Sequence, residues 1–360
     1  MSSRLQEGIP AKCEYRPVKY SHVEIEPGES LLLSADPWSY LKAHLLQKEK
    51  HSRGTNAANL RRAVYYAELA EDFYDNAATA GLPSVGVLQY YGTLNLVKSY
   101  ISASGIELEK TWEHHGLTLP LENELTVEVA GTFSSSDGVS IFSEFASQLD
   151  SPVMGKESIA FKEICSHIPE LHEVAHNLGH LQCSSRKFLP IEIDFLVNKD
   201  YSYLFTEIRY KKKHEATLPT HKFNKGKRKD YFRSGYPQDG WVVYRSKKRK
   251  PLTKENWPVV YRNFLKDFAE FDLCSILTPS GYRYYCDLEP GNHHHLCYSM
   301  MAMFFIGTIA RYRPSAMDDI LAGDHRPLVT EALALCPRQF LYQIVSHVTN
   351  SLCVVPHAKM

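Results

Sequence analysis

An α+β fold is predicted by three features of the 360-residue chain: helical periodicity up to about residue 105, short β-branched and aromatic runs from about 120 to 290, and helical periodicity again from His293. Trp38 to Gln47 is a short amphipathic stretch, and 56–81 continues it without an internal Gly or Pro before a closing Gly. After Leu82-Pro83, the segment 84–105 is apolar on most faces. The short connection argues for an antiparallel helical hairpin.

Beyond Pro120, ELTVEVAGTF, GVSIF, KFLPIEIDFLV, YSYLFTEIRY, GWVVYR and GYRYYCDLE are bounded by turn formers and read as strands. A helical interlude at about 156–181 divides them. Helices are then expected over Leu296 to Ala310, Pro314 to Leu321, Pro327 to Leu335 and Pro337 to Asn350, with prolines suited to helix starts. The expected division is a helical part at 1–119, a β-rich region at 120–290 and a second helical part at 291–360. The 56–105 hairpin should pack against helices after residue 293, because both sets carry apolar faces that need partners.

Composition narrows the function classes. With 44% hydrophobic and 23% charged residues, and only 19 Gly and 19 Pro, collagen-like and globally disordered chains are excluded. No apolar run follows the first basic residue, so a secretory signal is not expected. The longest apolar run, Leu296 to Ala310, falls short of the ~20 residues that span a bilayer. Eight cysteines without a CxxC pair suggest reduced thiols in a cytoplasm. The chain has 41 basic and 41 acidic residues, yet residues 209–250 hold 15 Lys/Arg against 3 Asp/Glu, a net +12 that leaves −12 elsewhere.

YYGTLNLVKSYI (90–101), HHGL (114–117), the IPEL step (168–171) and ARYRPSAMDDIL (310–321) together resemble the YaaC-like family of bacterial proteins. They stand in family order, and the resemblance covers most of the chain. The hairpin with paired tyrosines and a following His-Gly also resembles the opening of a HEPN domain, a helical bundle found in ribonucleases and their inactive relatives. That resemblance implies a bundle formed by the first and last helices, a homodimer, and a setting in RNA or antiviral defence biology. Active HEPN members carry an Arg, four to six residues, then a His on a late helix. Here Arg311 and Arg313 lie on that helix but the next histidine is His325, so the ribonuclease motif is not intact. Arg209 to His214 has the spacing, but at a strand end within a charge run.

Four constellations carry chemistry. HEVAH matches HExxH, in which His172 and His176 would bind zinc and Glu173 would act as base; a partly exposed helix is the plainer reading. Asp194, then Glu207 and Arg209 on the next strand, resemble the PD-(D/E)xK nuclease pattern, in which two carboxylates hold magnesium. An arginine in the lysine position is a poorer group for handling protons. The basic segment interleaves Tyr210, Phe223, Tyr231, Phe232, Tyr236, Trp241 and Tyr244 with cations. Its candidate phosphate contacts are Lys211, Lys212, Lys213, Lys225, Lys227, Arg228, Lys229 and Arg233, with rings available to stack on bases. His293-His294-His295 point in different directions on a helix, which suits capping and solvent exposure better than one metal ion.

The expected function is therefore a cytoplasmic nucleic-acid-associated protein needing no cofactor, forming homodimers and not entering membranes. The enzyme alternatives are a magnesium nuclease through Asp194 and Glu207, or a zinc peptidase through His172 and His176. A non-catalytic assembly protein with a protein partner is the third class.

Overall fold

The computed structural model describes residues 7–25, 31–82, 84–108, 112–120, 125–130, 138–179, 186–223, 231–233 and 239–356, with backbone alone at Phe232, Arg233 and Glu270. The fold is α+β. Its two compact units are Met1–Leu33 with Cys183–Pro290 and Asn350–Met360, and Ser34–Gln182 with Gly291–Thr349.

The helical unit holds α1 (Pro37–Lys50), α2 (Gly54–Ala78), α3 (Ser84–Ala103), α4 (Ile141–Gln148), α5 (Phe161–Ser166) and α6 (Pro169–Asn177). Asp36 caps α1 by accepting from the Ser39 amide at 3.0 Å, with Pro37 in the first turn where its missing N–H costs nothing. Helix α7 (Trp257–Phe268) belongs to the other unit, and the helical unit resumes with α8 (His295–Tyr312), α9 (Pro314–Ala322) and α10 (Arg326–Thr349). The α2–α3 hairpin packs as expected on late helices, α3 lying against α8 and α10.

Glycine sets how closely α3 and α8 approach. A Cβ on Gly307 would lie 2.6 Å from Tyr90 Cβ and 3.0 Å from the Gly86 carbonyl oxygen, and one on Gly86 would lie 2.7 Å from Ile306 Cγ2. Gly307→Ala is therefore expected to destabilise the protein by about 1–3 kcal/mol through overpacking, against the ~1 kcal/mol that alanine gains in a helix. An unchanged urea midpoint would contradict this.

Two local expectations are corrected. GVSIF is not a strand: only Val139–Ser140 is extended, and Ile141 begins α4, with the Ser140 hydroxyl accepting from the Ser143 amide at 3.2 Å. The separate helices expected from Pro327 and Pro337 are one, α10, with Pro337 buried in its interior. Packing of α10 on α1, α3, α6 and α8 outweighs the lost helical hydrogen bond.

In the other unit an eight-stranded antiparallel sheet runs Tyr231–Arg233, Trp241–Ser246, Tyr203–Lys211, Phe188–Val197, Gly281–Asp287, Leu273–Thr278, with Ile9–Pro10 and Lys250–Pro251 added beside Phe188–Val197 and Tyr203–Lys211. Leu189, Ile191, Phe195, Leu204, Ile208, Tyr210, Val242 and Tyr244 point to one face, where Tyr261, Phe264 and Phe268 of α7 cover them. Phe264 and Phe268 are fully buried, each worth about 1.5–3 kcal/mol in apolar burial. Seven cysteines among the described residues are free thiols. No helix among those residues is long and apolar enough to cross a membrane.

Candidate functional site

The opposite face of the sheet gathers charge. Register places Asp194 directly across from Glu207, Glu207 across from Arg245, and Glu192 across from Arg209. Period-two alternation therefore brings Glu192, Asp194, Glu207, Arg209 and Arg245 to one surface. The expected acid pair is thus adjacent, but arginines occupy it. Glu207 and Arg245, each 5% exposed, form a salt bridge at 2.5 Å, and the Arg245 guanidinium lies 4.6 Å over the Phe205 ring. Arg209 reaches Glu192 at 2.7 Å and Asp194 at 3.5 Å. Partial burial raises the Asp194 carboxyl above its ordinary range, an effect opposed by Arg209 and reinforced by Glu192. Among the described residues no group of three or more His, Cys, Asp and Glu could hold a metal ion.

The same strands end in a cationic strip. Lys211 closes Tyr203–Lys211, and Lys212 and Lys213 open the 3-10 turn that follows; all three are exposed and have no ion-pair partner among the described residues. Trp241 stands across from Lys211 in register, with the Lys211 ammonium 3.6 Å and the Arg209 guanidinium 4.9 Å from its ring centroid. Three other described lysines of the basic segment are held at home, Lys222 by Glu289 and Lys248 and Lys250 by Asp267. The rings expected to stack on bases are mostly not available, because Tyr210, Phe223, Tyr231 and Tyr244 are core residues. Trp241 alone of the described set is partly exposed. Lys225, Lys227, Arg228 and Lys229 lie outside the described residues, and Arg233 is described by its strand backbone.

HEVAH lies on α6. His172 is buried, its Nδ1 donating to the Ser166 carbonyl at 3.2 Å; its ring is 6.3 Å from His176 and nearly parallel, while Glu173 is exposed. The three adjacent histidines do go separate ways. His294 caps α8 by accepting from the Leu296 amide, but His293 and His295 are buried rather than exposed, against Glu157 and Gln343.

A further cluster joins segments that the sequence leaves apart. Tyr90 and Tyr91 on α3 meet His115 and the end of α8: the Tyr90 hydroxyl bonds His115 Nδ1 at 2.6 Å, and Arg311 donates to the Tyr91 hydroxyl. The Arg311 guanidinium also lies 4.8 Å over the Tyr312 ring. Arg313 donates to the Leu119 and Pro120 carbonyls at 3.5 and 3.0 Å. Burial lowers the His115 imidazole pKa, helped by Lys98, His114 and Arg311, while burial raises that of Tyr90. A search for Arg and His on one helix misses this pairing, since His115 comes from a different segment. The paired tyrosines and HHGL were visible, but only folding brings them to Arg311.

No curated protein and no solved structure matches the chain. A family model described as YaaC-like Protein matches residues 31–348, a span that contains all of α1 to α9, the main strands from Phe188 onward, and each of the motifs at 90–101, 114–117, 168–171 and 310–321. The chain belongs to the YaaC-like family.

Proposed function

We propose that this protein binds nucleic acid through the cationic end of its sheet, as a homodimer whose helical part is a HEPN-like bundle. The observation that carries the reading is the run Lys211, Lys212 and Lys213, exposed and without carboxylate partners among the described residues, beside the partly exposed Trp241. Lysines that displace counterions from phosphates, next to one ring able to stack, suit a single strand. Lys225, Lys227, Arg228, Lys229 and Arg233 are further candidate phosphate contacts in this proposal, on the strength of the sequence alone. The acids are not given a metal-binding part, because Glu207 already neutralises Arg245, and Asp194 and Glu192 share Arg209.

Replacing Lys211, Lys212 and Lys213 together with Glu is expected to weaken binding of a fluorescent single-stranded RNA and to lower the slope of log affinity against log salt by ~2, at ~0.7 per lost contact. Fluorescence anisotropy measures both. Equal affinity of parent and variant at every salt concentration would remove the strip from the proposal.

A further inference from the structure

We propose that the Tyr91–His115–Arg311–Arg313 cluster of the helical unit binds a phosphoryl group, either as inorganic phosphate or on a nucleotide. Arg311 is exposed and has no carboxylate partner among the described residues; its guanidinium is positioned by the Tyr91 hydroxyl and by the rings of Tyr91 and Tyr312, at 5.6 and 4.8 Å. A planar fork held this way keeps donors free for a bidentate oxyanion. Arg313 supplies the second observation. Its Nη2 is anchored on the Leu119 and Pro120 carbonyls, yet its Nη1 is buried with no hydrogen-bond acceptor among the described residues. A buried guanidinium nitrogen without an acceptor is costly, and an anionic ligand oxygen would relieve it.

The surroundings favour negative charge in the ligand. Burial chiefly disfavours protonation of His115, and Lys98, His114 and Arg311 add to it. The Lys98 charge is itself balanced by Glu113 at 2.6 Å, whereas neither arginine has a carboxylate partner among the described residues. Arginines at a helix C-terminus also complement the helix dipole. That role explains their sign, but not why the Tyr91 hydroxyl and the rings of Tyr91 and Tyr312 together hold one exposed guanidinium. Phosphoryl oxygens match this set of donors.

The test is isothermal titration calorimetry on the full chain at low ionic strength with three probes: inorganic phosphate, adenosine 5′-monophosphate and adenosine. Phosphate or the nucleotide should bind and adenosine should not; binding of both anions identifies the phosphoryl group alone as the ligand, and binding of the nucleotide only identifies a nucleotide. Arg311→Ala should weaken the bound anion at least tenfold. Arg311→Lys should weaken it less, since charge survives and the fork does not, and Tyr91→Phe should cost a few-fold. Replacing Lys211, Lys212 and Lys213 with Glu should leave this binding unchanged, which separates it from the nucleic-acid surface. Circular dichroism checks that each variant folds, and the two conservative variants carry the test if Arg311→Ala does not. The proposal is overturned if adenosine binds as well as its monophosphate, if neither anion binds the parent at millimolar concentration, or if the folded Arg311 variants bind as tightly as the parent.

Discussion

Glu207→Ala is expected to lower the unfolding free energy by about 3–5 kcal/mol, because it leaves the buried Arg245 guanidinium without its carboxylate. The Phe205 ring over which Arg245 lies cannot replace a charge-assisted hydrogen bond. The double replacement Glu207→Leu with Arg245→Met should recover most of that loss, since neither charge then remains to be desolvated. Urea denaturation of both variants checks it. A metal ligand would behave differently: removing a carboxylate that holds magnesium would abolish metal dependence and leave the apoprotein no less stable.

Acid lability is the second large effect. Burial lowers the His295 imidazole pKa to about 4, the bond to Gln343 opposing the shift only in part, and burial with His295 nearby lowers that of His347 to about 4. The folded state thus refuses protons that the unfolded chain accepts at the ordinary histidine pKa. The stability is fully present above about pH 6.5 and is lost as the pH falls toward 4, at on the order of 3 kcal/mol per histidine. His295→Gln should flatten the pH dependence of the urea midpoint between about pH 6.5 and 5, a window above most carboxylate titration. A profile as steep as the parent's would contradict the assignment.

What was legible in the sequence follows from locality. Strand alternation in IEIDFLV and YLFTEIRY marks two neighbouring strands carrying Asp194 and Glu207, but the register that sets these two directly across from each other appears only in the fold. Arg245 was not legible as the partner of Glu207, since its strand is 38 residues further on. α7 has a local signal, since Trp257, Val260, Tyr261, Phe264 and Phe268 repeat at helical spacing. Tyr210, Phe223, Tyr231 and Tyr244 read as surface residues in the sequence because cations surround them. In a strand the neighbouring residue faces the other way, and at Tyr210 that is enough to put the ring in the core and Lys211 in solvent. Pro337 misled for the opposite reason, as tertiary packing carried a helix through a residue that local chemistry treats as a boundary.

The central claim, nucleic-acid binding through an exposed lysine strip, is tested most directly by the salt dependence of the parent protein's affinity for a single-stranded RNA. If Lys211, Lys212 and Lys213 engage phosphates, log affinity falls linearly with log salt with a slope of ~2 or steeper, at ~0.7 per contact. A slope near zero, or no binding at 50 mM salt, would contradict the account.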